Sequence, residues 1–278
     1  MLNVDLHCHS NVSDGALAPA TLAARASAGG VDVWALTDHD EVGGIPEARE
    51  AAHSLGLLYV TGVEISVTWA GRTVHIVGLK FDETNENLVR GLSETRSGRE
   101  RRARDMAAQL AVVGIPDAFE GALKYVGNPD LISRTHFARY LIEVGVCRDV
   151  SEVFANYLTE GKPGYVPHRW AALKDAVDWI RGAGGIAVVA HPGRYDFSET
   201  ELGIFFDEFK RLGGAGVEVV TGSHTADEYG RFANLARNYD LLASRGSDFH
   251  APGESDTDLG ALPPLPPIVT PVWHDWRF

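Results

Sequence analysis

An α/β barrel interrupted by a helical insertion is the fold class this sequence predicts, and three observations lead there. Short apolar, β-branched runs (Val33-Trp-Ala-Leu, Leu57-Leu-Tyr-Val, Ile186-Ala-Val-Val) recur between helical stretches. Such runs, flanked by Gly and Pro, read as buried parallel strands. Each is followed by histidine or carboxylate, and chemistry is expected at the C-terminal ends of parallel strands, where side chains converge on one open face. At 278 residues the chain can bury one substantial core, so one barrel with an insertion fits better than two equal domains.

The elements follow in order. Strand Leu2–Leu6 leads to a loop carrying Asp14-Gly15, then a helix opened by Pro19 and Thr21 that runs to about Ala28, strand Val33–Leu36 and a helix from Pro46 to Leu55. Strands Leu57–Val60, Ile65–Trp69 and Thr73–Leu79 come next, the last two around the turn Ala70-Gly71. Between Phe81 and Tyr165 the rhythm stops, and a stretch rich in Arg, Ala and Glu predicts helices. Residues 1–80 and 166–278 are therefore expected to build the barrel, and residues 81–165 a helical cap over its mouth. The barrel resumes with helix Ala171–Arg181, strand Ile186–Ala190, helix Glu201–Leu212, strand Gly216–Val220, helix Thr225–Asn238 and strand Leu241–Ser244. The tail Leu262-Pro-Pro-Leu-Pro-Pro reads as extended polyproline.

Six of the eleven histidines lie in short clusters with carboxylates: Asp5-Leu-His7-Cys-His9, Thr37-Asp38-His39-Asp40, Gly62-Val-Glu64, Val74-His75, Ala190-His191-Pro-Gly193 and Gly246-Ser-Asp248-Phe-His250. Alternate residues of a strand share a face, so His7 and His9 point together and away from Cys8, and Asp248 lies beside His250 with Phe249 behind them. Imidazole and carboxylate without thiolate suit Zn, Mn or Fe(II) rather than a Cys-type structural zinc site. Metal-bound imidazoles donate their second N–H to a carboxylate or carbonyl, and Asp5, Asp38 and Asp40 are spaced to serve. His53, His168 and His274 lack such company and read as structural or surface residues.

Composition narrows the function. A net charge of −13 argues against a broad grip on duplex DNA. From Arg90 to Lys162 there are 11 basic and 10 acidic residues, so this stretch is far less acidic than the rest. No apolar run approaches ~18 residues and no basic leader opens the chain, so neither a membrane span nor a signal peptide is expected. Two cysteines, Cys8 and Cys147, are too few for a disulfide framework, and the expected location is the cytoplasm.

Together these runs resemble the PHP (polymerase and histidinol phosphatase) domain, whose four signatures correspond to His7/His9, Asp38/His39, His191 and Asp248/His250. The resemblance implies a distorted (β/α)7 TIM-like barrel holding two or three divalent metal ions, Mn, Fe or Zn. It implies His7, His9 and Asp248 around a first metal, Glu64 bridging to a second completed by His75 and His191, and Asp14, His39 and His250 around a third. Asp14 and Asp248 stand where many members place histidine, which raises local negative charge and favours Mn(II) or Fe(II) over Zn(II).

The insertion, with the runs Ile132-Ser-Arg-Thr-His136-Phe-Ala and Gly161-Lys-Pro-Gly-Tyr-Val166, resembles one subgroup of the family: nucleoside 3′,5′-bisphosphate phosphatases and 5′→3′ exoribonucleases. The implied substrate is a nucleotide of the adenosine 3′,5′-bisphosphate type or a short single-stranded RNA. The implied reaction is hydrolysis of the ester on the 3′ oxygen by a metal-bridging hydroxide. His7, His9, Glu64, His191 and Asp248 would carry it, with His224 or a metal-bound water as general acid. A second phosphate needs its own site. Arg134, with its bidentate fork, is the expected residue, supported by His136, Lys162 and Arg194.

The run Arg96–Arg104 alternates with Glu94, Glu100 and Asp105 and reads as an exposed, salt-bridged helix. Phe137 and Tyr140 have the helical spacing of core residues, so no base platform is assigned to them, to Tyr157 or to Tyr165. Two other functions compete. A histidinol-phosphatase-like phosphomonoesterase would not need the long insertion. An inert metal-binding module would have lost ligands, whereas all nine expected positions carry competent side chains. Ser10, Ser13 and Ser223 have no Ser–His–acid setting for covalent catalysis.

Overall fold

The computed structural model describes residues 2–255 and 257–277. Its first half comprises strand β1 (Val4–Asp5), helix α1 (Pro19–Ala28), β2 (Val33–Leu36), α2 (Ile45–Leu55), β3 (Leu58–Trp69) and β4 (Arg72–Leu79). A helical stretch follows: α3 (Glu86–Arg96), α4 (Arg99–Val112), α5 (Ala118–Leu123), α6 (Arg134–Glu143) and α7 (Val150–Val153), the last continued by a π-helical turn over Phe154–Leu158. The chain then forms β5 (Ala171–Ala172), α8 (Leu173–Gly182), β6 (Ile186–Val189), α9 (Glu199–Arg211), β7 (Gly216–Thr221), α10 (Ala226–Asn238) and β8 (Leu242–Gly246).

The strands pair in the order β1-β2-β3-β4-β6-β7-β8, with β5 attached to β3. The sheet closes on itself: Leu6 N–H donates to Arg245 C=O (3.0 Å), Asp248 N–H to His7 C=O (2.8 Å) and His9 N–H to Phe249 C=O (2.9 Å). The result is a distorted barrel, and the distortion has a local cause. β4 runs antiparallel to both β3 and β6, whereas the other pairs are parallel. The two strands expected at Leu57–Val60 and Ile65–Trp69 are one continuous β3. Gly62 sits between them, and a Cβ there would come within 2.6 Å of Leu36 O, so glycine permits close approach to β2 rather than a break.

Three apolar layers hold the barrel. Val4, Leu6, Val33, Ala35, Val77 and Val188 fill its interior, with Val272 and Trp276 of the tail plugging one end. Trp34 and Leu36 point outward against α1 and α2. Val63, Ile65, Val217 and Val219 share a cluster with Val177 and Ile180 of α8, Phe205, Phe206 and Phe209 of α9 and Phe232 of α10. Capping boxes at Ser198/Glu201 and Thr225/Glu228 fix the starts of α9 and α10, satisfying amides the first helical turn leaves free.

The first helix of the expected 81–165 segment packs with the barrel, since Leu88 and Leu92 of α3 join the barrel core. A separate core of Met106, Leu110, Phe119, Phe137, Leu141 and Leu158 organises the later helices. The proline-rich tail is docked, with Arg245 holding Pro263 C=O (2.8 Å) and Leu262 C=O. No described helix is long and apolar enough to cross a membrane.

The β8–β1 seam depends on absent side-chain volume. A Cβ at Gly246 would lie 2.3 Å from His7 Cβ and 2.7 Å from His7 N. Gly246→Ala is therefore expected to cost about 1–3 kcal/mol and lower the thermal unfolding midpoint by roughly 3–10 °C. Gly182→Ala at the end of α8, where an added Cβ meets nothing within 4 Å, should leave the midpoint unchanged or slightly raised.

Candidate metal centre

The clusters converge at the C-terminal mouth of the parallel strands. His7 and His9 follow β1 and face the mouth together, their rings 5.1 Å apart, while Cys8 turns into the layer under α1 and α2. His39 follows β2 and forms a bridge with Glu64, which lies in the middle of β3 rather than at its end. His75 is the fourth residue of β4, near that strand's start, because β4 runs the other way. His191 follows β6, and Asp248 and His250 follow β8. His191 (φ 24°) and Asp248 (φ 56°) occupy the left-handed region, a strained backbone that the surrounding packing must hold.

Glu64 is fully buried. Its Oε1 lies 3.0 Å from His75 Nδ1 and 2.9 Å from His191 Nε2, and its Oε2 lies 2.9 Å from His39 Nδ1 and 3.3 Å from His9 Nε2. Asp248 Oδ1 stands 3.2 Å from His9 Nε2 and 3.5 Å from His7 Nε2. Asp14 Oδ1 faces His250 Nε2 at 3.4 Å and His39 Nε2 at 3.8 Å. Four overlapping groups have ligand atoms close enough to share an ion: His9, Asp14, His39 and His250; His7, His9 and Asp248; His7, Glu64 and His191; His39, Glu64 and His75.

Glu218, which the sequence reading passed over, organises this arrangement. From the middle of β7 its Oε1 accepts from His7 Nδ1 (2.8 Å) and its Oε2 from the His191 backbone N–H (2.7 Å). With Nδ1–H so engaged, the His7 Nε2 lone pair points into the cluster. A lone carboxylate inside the buried run Gly216-Val-Glu-Val-Val was the available signal, since an unpaired charge is rarely buried there without a task.

The three aspartates expected to hold imidazoles instead brace loops. Asp5 accepts from Ser247 N–H (2.9 Å). Asp38 accepts from Ser10 N–H, Ser10 Oγ and Ser13 Oγ (2.7, 2.6 and 2.6 Å) and so shapes the loop presenting Asp14. Asp40 accepts from Ser66 N–H (2.7 Å) and from Arg99.

A cavity beside the cluster is lined by Arg99, Arg102, Arg134, Tyr165, His168 and Trp170 as well as by Glu64, Asp248 and His250. Arg99 is buried against Asp40, lies 4.5 Å over the Trp170 ring and has an Nε without a hydrogen-bond partner. Arg102 donates to Val166 C=O (2.9 Å) on the same wall. At the start of α6, Ser133 and Thr135 hydroxyls donate to Asp14 Oδ2 (3.1 and 3.0 Å). That leaves Oδ1 for the histidines.

The donor set fits divalent metal. His9 Nδ1, His39 Nδ1, His75 Nδ1, Asp14 Oδ1 and Glu64 Oε2 are buried without a hydrogen bond, although several lie within ion-pair distance of one another. Buried polar atoms in such number are orphaned only where something else satisfies them. Electrostatics agree. Burial opposes charge on His9, yet Asp248 and Glu64 outweigh it and push the imidazole up to about 10. Burial opposes charge on Glu64 as well, but His75 and His39 hold it well below the usual carboxylate range.

The chain matches the PHP domain over residues 5–182. It belongs to the PHP family. It is 51% identical over 275 residues to a 3′,5′-nucleoside bisphosphate phosphatase of Chromobacterium violaceum, covering 99% of this chain and 96% of that one. It is 42% identical over 270 residues to a 5′-3′ exoribonuclease of Haemophilus influenzae, covering 97% of each. A solved structure of a Chromobacterium violaceum amidohydrolase with bound sulfate and no metal superposes with a TM-score of 0.96 at 51% identity, over 98% of this chain and 95% of that one.

In this PHP protein the nine expected ligand positions stand together, and Arg134 and Arg194 both line the arginine cavity. Three other expected residues do not reach it. His136 is fully buried and its Nδ1 accepts from Ser133 N–H (3.0 Å), so it caps α6; burial pushes it down to about 4 and keeps it neutral. Lys162 is exposed on the loop after the π-helical turn, outside the cavity lining. His224 lies outside the cavity lining: Nδ1 pairs with Val219 C=O (3.1 Å) and Nε2 accepts from Gly193 N–H (3.0 Å), so it fixes the turn after His191.

Three residues read as unremarkable, His168, Arg99 and Arg102, prove to line the cavity. His168 packs edge-on against Trp170, ring centroids 4.2 Å apart. The Arg96–Arg104 run is mixed: Arg104 pairs with Glu100 at the surface as expected, whereas Arg99 is buried.

Two outcomes follow from this geometry. Glu218→Gln should weaken divalent-metal binding about 10–100-fold in a metal titration while circular dichroism shows the fold intact. Because protons held by His7 and His9 must leave before either ring can ligate, metal affinity should rise from pH 6 to pH 8, by up to about tenfold per pH unit for each proton displaced. Calorimetry in buffers of different ionisation enthalpy reads both the affinity and the released protons.

Proposed function

We propose that this PHP protein hydrolyses the ester on the 3′ oxygen of a nucleoside 3′,5′-bisphosphate, yielding the 5′-nucleotide, and by the same reaction trims short 5′-phosphorylated RNA. The observation that carries the reading is the shared opening of the ligand cluster and a cavity lined by Arg99, Arg102 and Arg134. One substrate phosphate fits the cluster and another the arginines. The activities named for the similar chains of Chromobacterium violaceum and Haemophilus influenzae support it.

We assign His7, His9 and Asp248 to one divalent ion, Glu64, His75 and His191 to a second, and Asp14, His39 and His250 to a third, Mn, Fe or Zn. Bound there, such ions supply a water of lowered pKa and neutralise charge at phosphorus. The protein's own groups orient and hold. Glu218 sets the tautomer of His7, and the Asp38 brace presents Asp14. Arg134, stacked over Phe154 at 5.3 Å, offers its guanidinium fork to the distal phosphate, and Arg99 and Arg102 add charge in a low-dielectric setting. Arg194 pairs with Asp248 Oδ2 at 2.8 Å and stands at the mouth between phosphate and solvent.

A phosphomonoesterase acting on a single phosphate would have no use for this group of guanidiniums, which leaves the bisphosphate reading ahead. The two free cysteines fit a protein of the reducing cytoplasm.

The test is product release by the Mn(II)-loaded protein from adenosine 3′,5′-bisphosphate, 3′-AMP, 5′-AMP and histidinol phosphate. Arg134→Ala should raise KM for the bisphosphate roughly 10–100-fold, the size of a lost charge-assisted pair, while the constants for 3′-AMP barely move. His191→Ala should abolish turnover with the fold retained. Preference for histidinol phosphate would overturn the reading.

A further inference from the structure

We propose that a second cavity, walled by hydroxyl groups and adjoining the arginine cavity at the ligand cluster, binds the nucleoside downstream of the scissile phosphate when the substrate is an RNA strand. The proposal rests on the phosphoesterase reading and adds to it a site that a mononucleotide bisphosphate would leave unfilled.

The cavity has a volume of about 390 Å³ and is lined by Thr135, Ser151, Ser223, Ser247, Ser255 and Thr257, within the range of roughly 300–1,000 Å³ typical of small-ligand sites. It shares Thr135, Phe154, Arg194, Asp248 and His250 with the arginine cavity, so the two adjoin at the same cluster. Their chemistry differs. Arg194 is the sole lysine or arginine among the described lining residues, and it is already engaged by Asp248. A phosphate dianion has little to hold it there. Hydroxyls both donate and accept, which suits the sugar and ester oxygens of a neutral nucleoside and reads no base. Phe154, shared by both cavities, offers one ring face for sequence-tolerant stacking.

The chemistry explains why such a site is needed. Water oxygen bonds to phosphorus, the bond from phosphorus to the 3′ oxygen breaks, and a proton ends on that 3′ oxygen, releasing a 5′-nucleotide. In a bisphosphate the phosphorus departs as inorganic phosphate. In RNA it stays on the 5′ oxygen of the next nucleoside, which must lie somewhere beside the cluster. The shortened strand then carries a new 5′-phosphate, and moving one nucleotide from the hydroxyl side to the arginine side makes it the next substrate.

Ser223 and Ser151 are exposed and stand on different elements, the β7–α10 loop and α7, so Ser223→Trp and Ser151→Trp can each crowd the cavity without entering a core. The Mn(II)-loaded wild type and both variants would be given adenosine 3′,5′-bisphosphate and a 5′-phosphorylated RNA pentamer. The ratio of RNA to bisphosphate turnover should fall at least about tenfold in each variant, and binding of a fluorescent pentamer to the metal-free protein should weaken by roughly the same factor. An unchanged ratio and unchanged binding in both variants would overturn the proposal. So would a wild type that cleaves the bisphosphate but not the pentamer. Failure on the bisphosphate itself would instead strike the phosphoesterase reading.

Discussion

The mouth of the barrel depends on the burial of one carboxylate. Glu64 lies on β3, the strand at which the sheet changes direction, parallel to β2 and antiparallel to β4. Its two oxygens are therefore reached from the ends of β1, β2 and β6 and from the start of β4. An isolated carboxylate at that depth would be strongly disfavoured, and Asp14 and Glu218 are buried with it while Asp248 is half-buried. The centre holds together only if positive charge is present, as protons on imidazole or as divalent cation. The cation requirement of the site and the stability of the strand ends are thus one problem with one solution.

The helices inserted between β4 and β5 enter the same network. Ser133 and Thr135 anchor one oxygen of Asp14, and Arg134 between them lines the arginine cavity. A single turn at the start of α6 therefore orients a proposed metal ligand and presents a proposed phosphate contact. Arg99 does something similar from α4, since its partner Asp40 also receives Ser66 N–H from β3. On the proposed reading, recognition of the distal phosphate and geometry of the cluster are mechanically joined, which would set the scissile and held phosphates at a fixed separation.

Most of the barrel and the convergence of the nine clustered side chains were legible in the sequence, and the reasons are physical. Strand parity forces His7 and His9 to one side and Cys8 to the other, and the short apolar runs ending in His or Asp mark strand ends. What escaped was the set of partners brought together by long-range closure. Asp5, Asp38 and Asp40 are adjacent to ligands in sequence, but Glu218 is adjacent in space, and only the pairing of β7 with β6 and β8 shows it. His136 and His224 look like chemistry from their composition. Each has a ring nitrogen committed to backbone hydrogen bonding, an outcome that local sequence does not display. Arg99 was hidden inside an alternating charge run whose exposed members obey the surface rule.

The charge distribution completes the account of selectivity. A chain with a net charge of −13 repels polyanions at long range, with a field screened beyond roughly 8–10 Å at physiological salt. The guanidiniums of Arg99 and Arg102 lie 4.5 and 5.4 Å over the Trp170 ring, where water and salt screen them less. A long duplex would meet the acidic exterior along its length and reach the arginines nowhere. A single strand or a mononucleotide, as proposed, would thread one phosphate past that exterior and gain the full local field. Net charge and local charge oppose each other, and on the proposed reading that opposition would favour a small or single-stranded substrate.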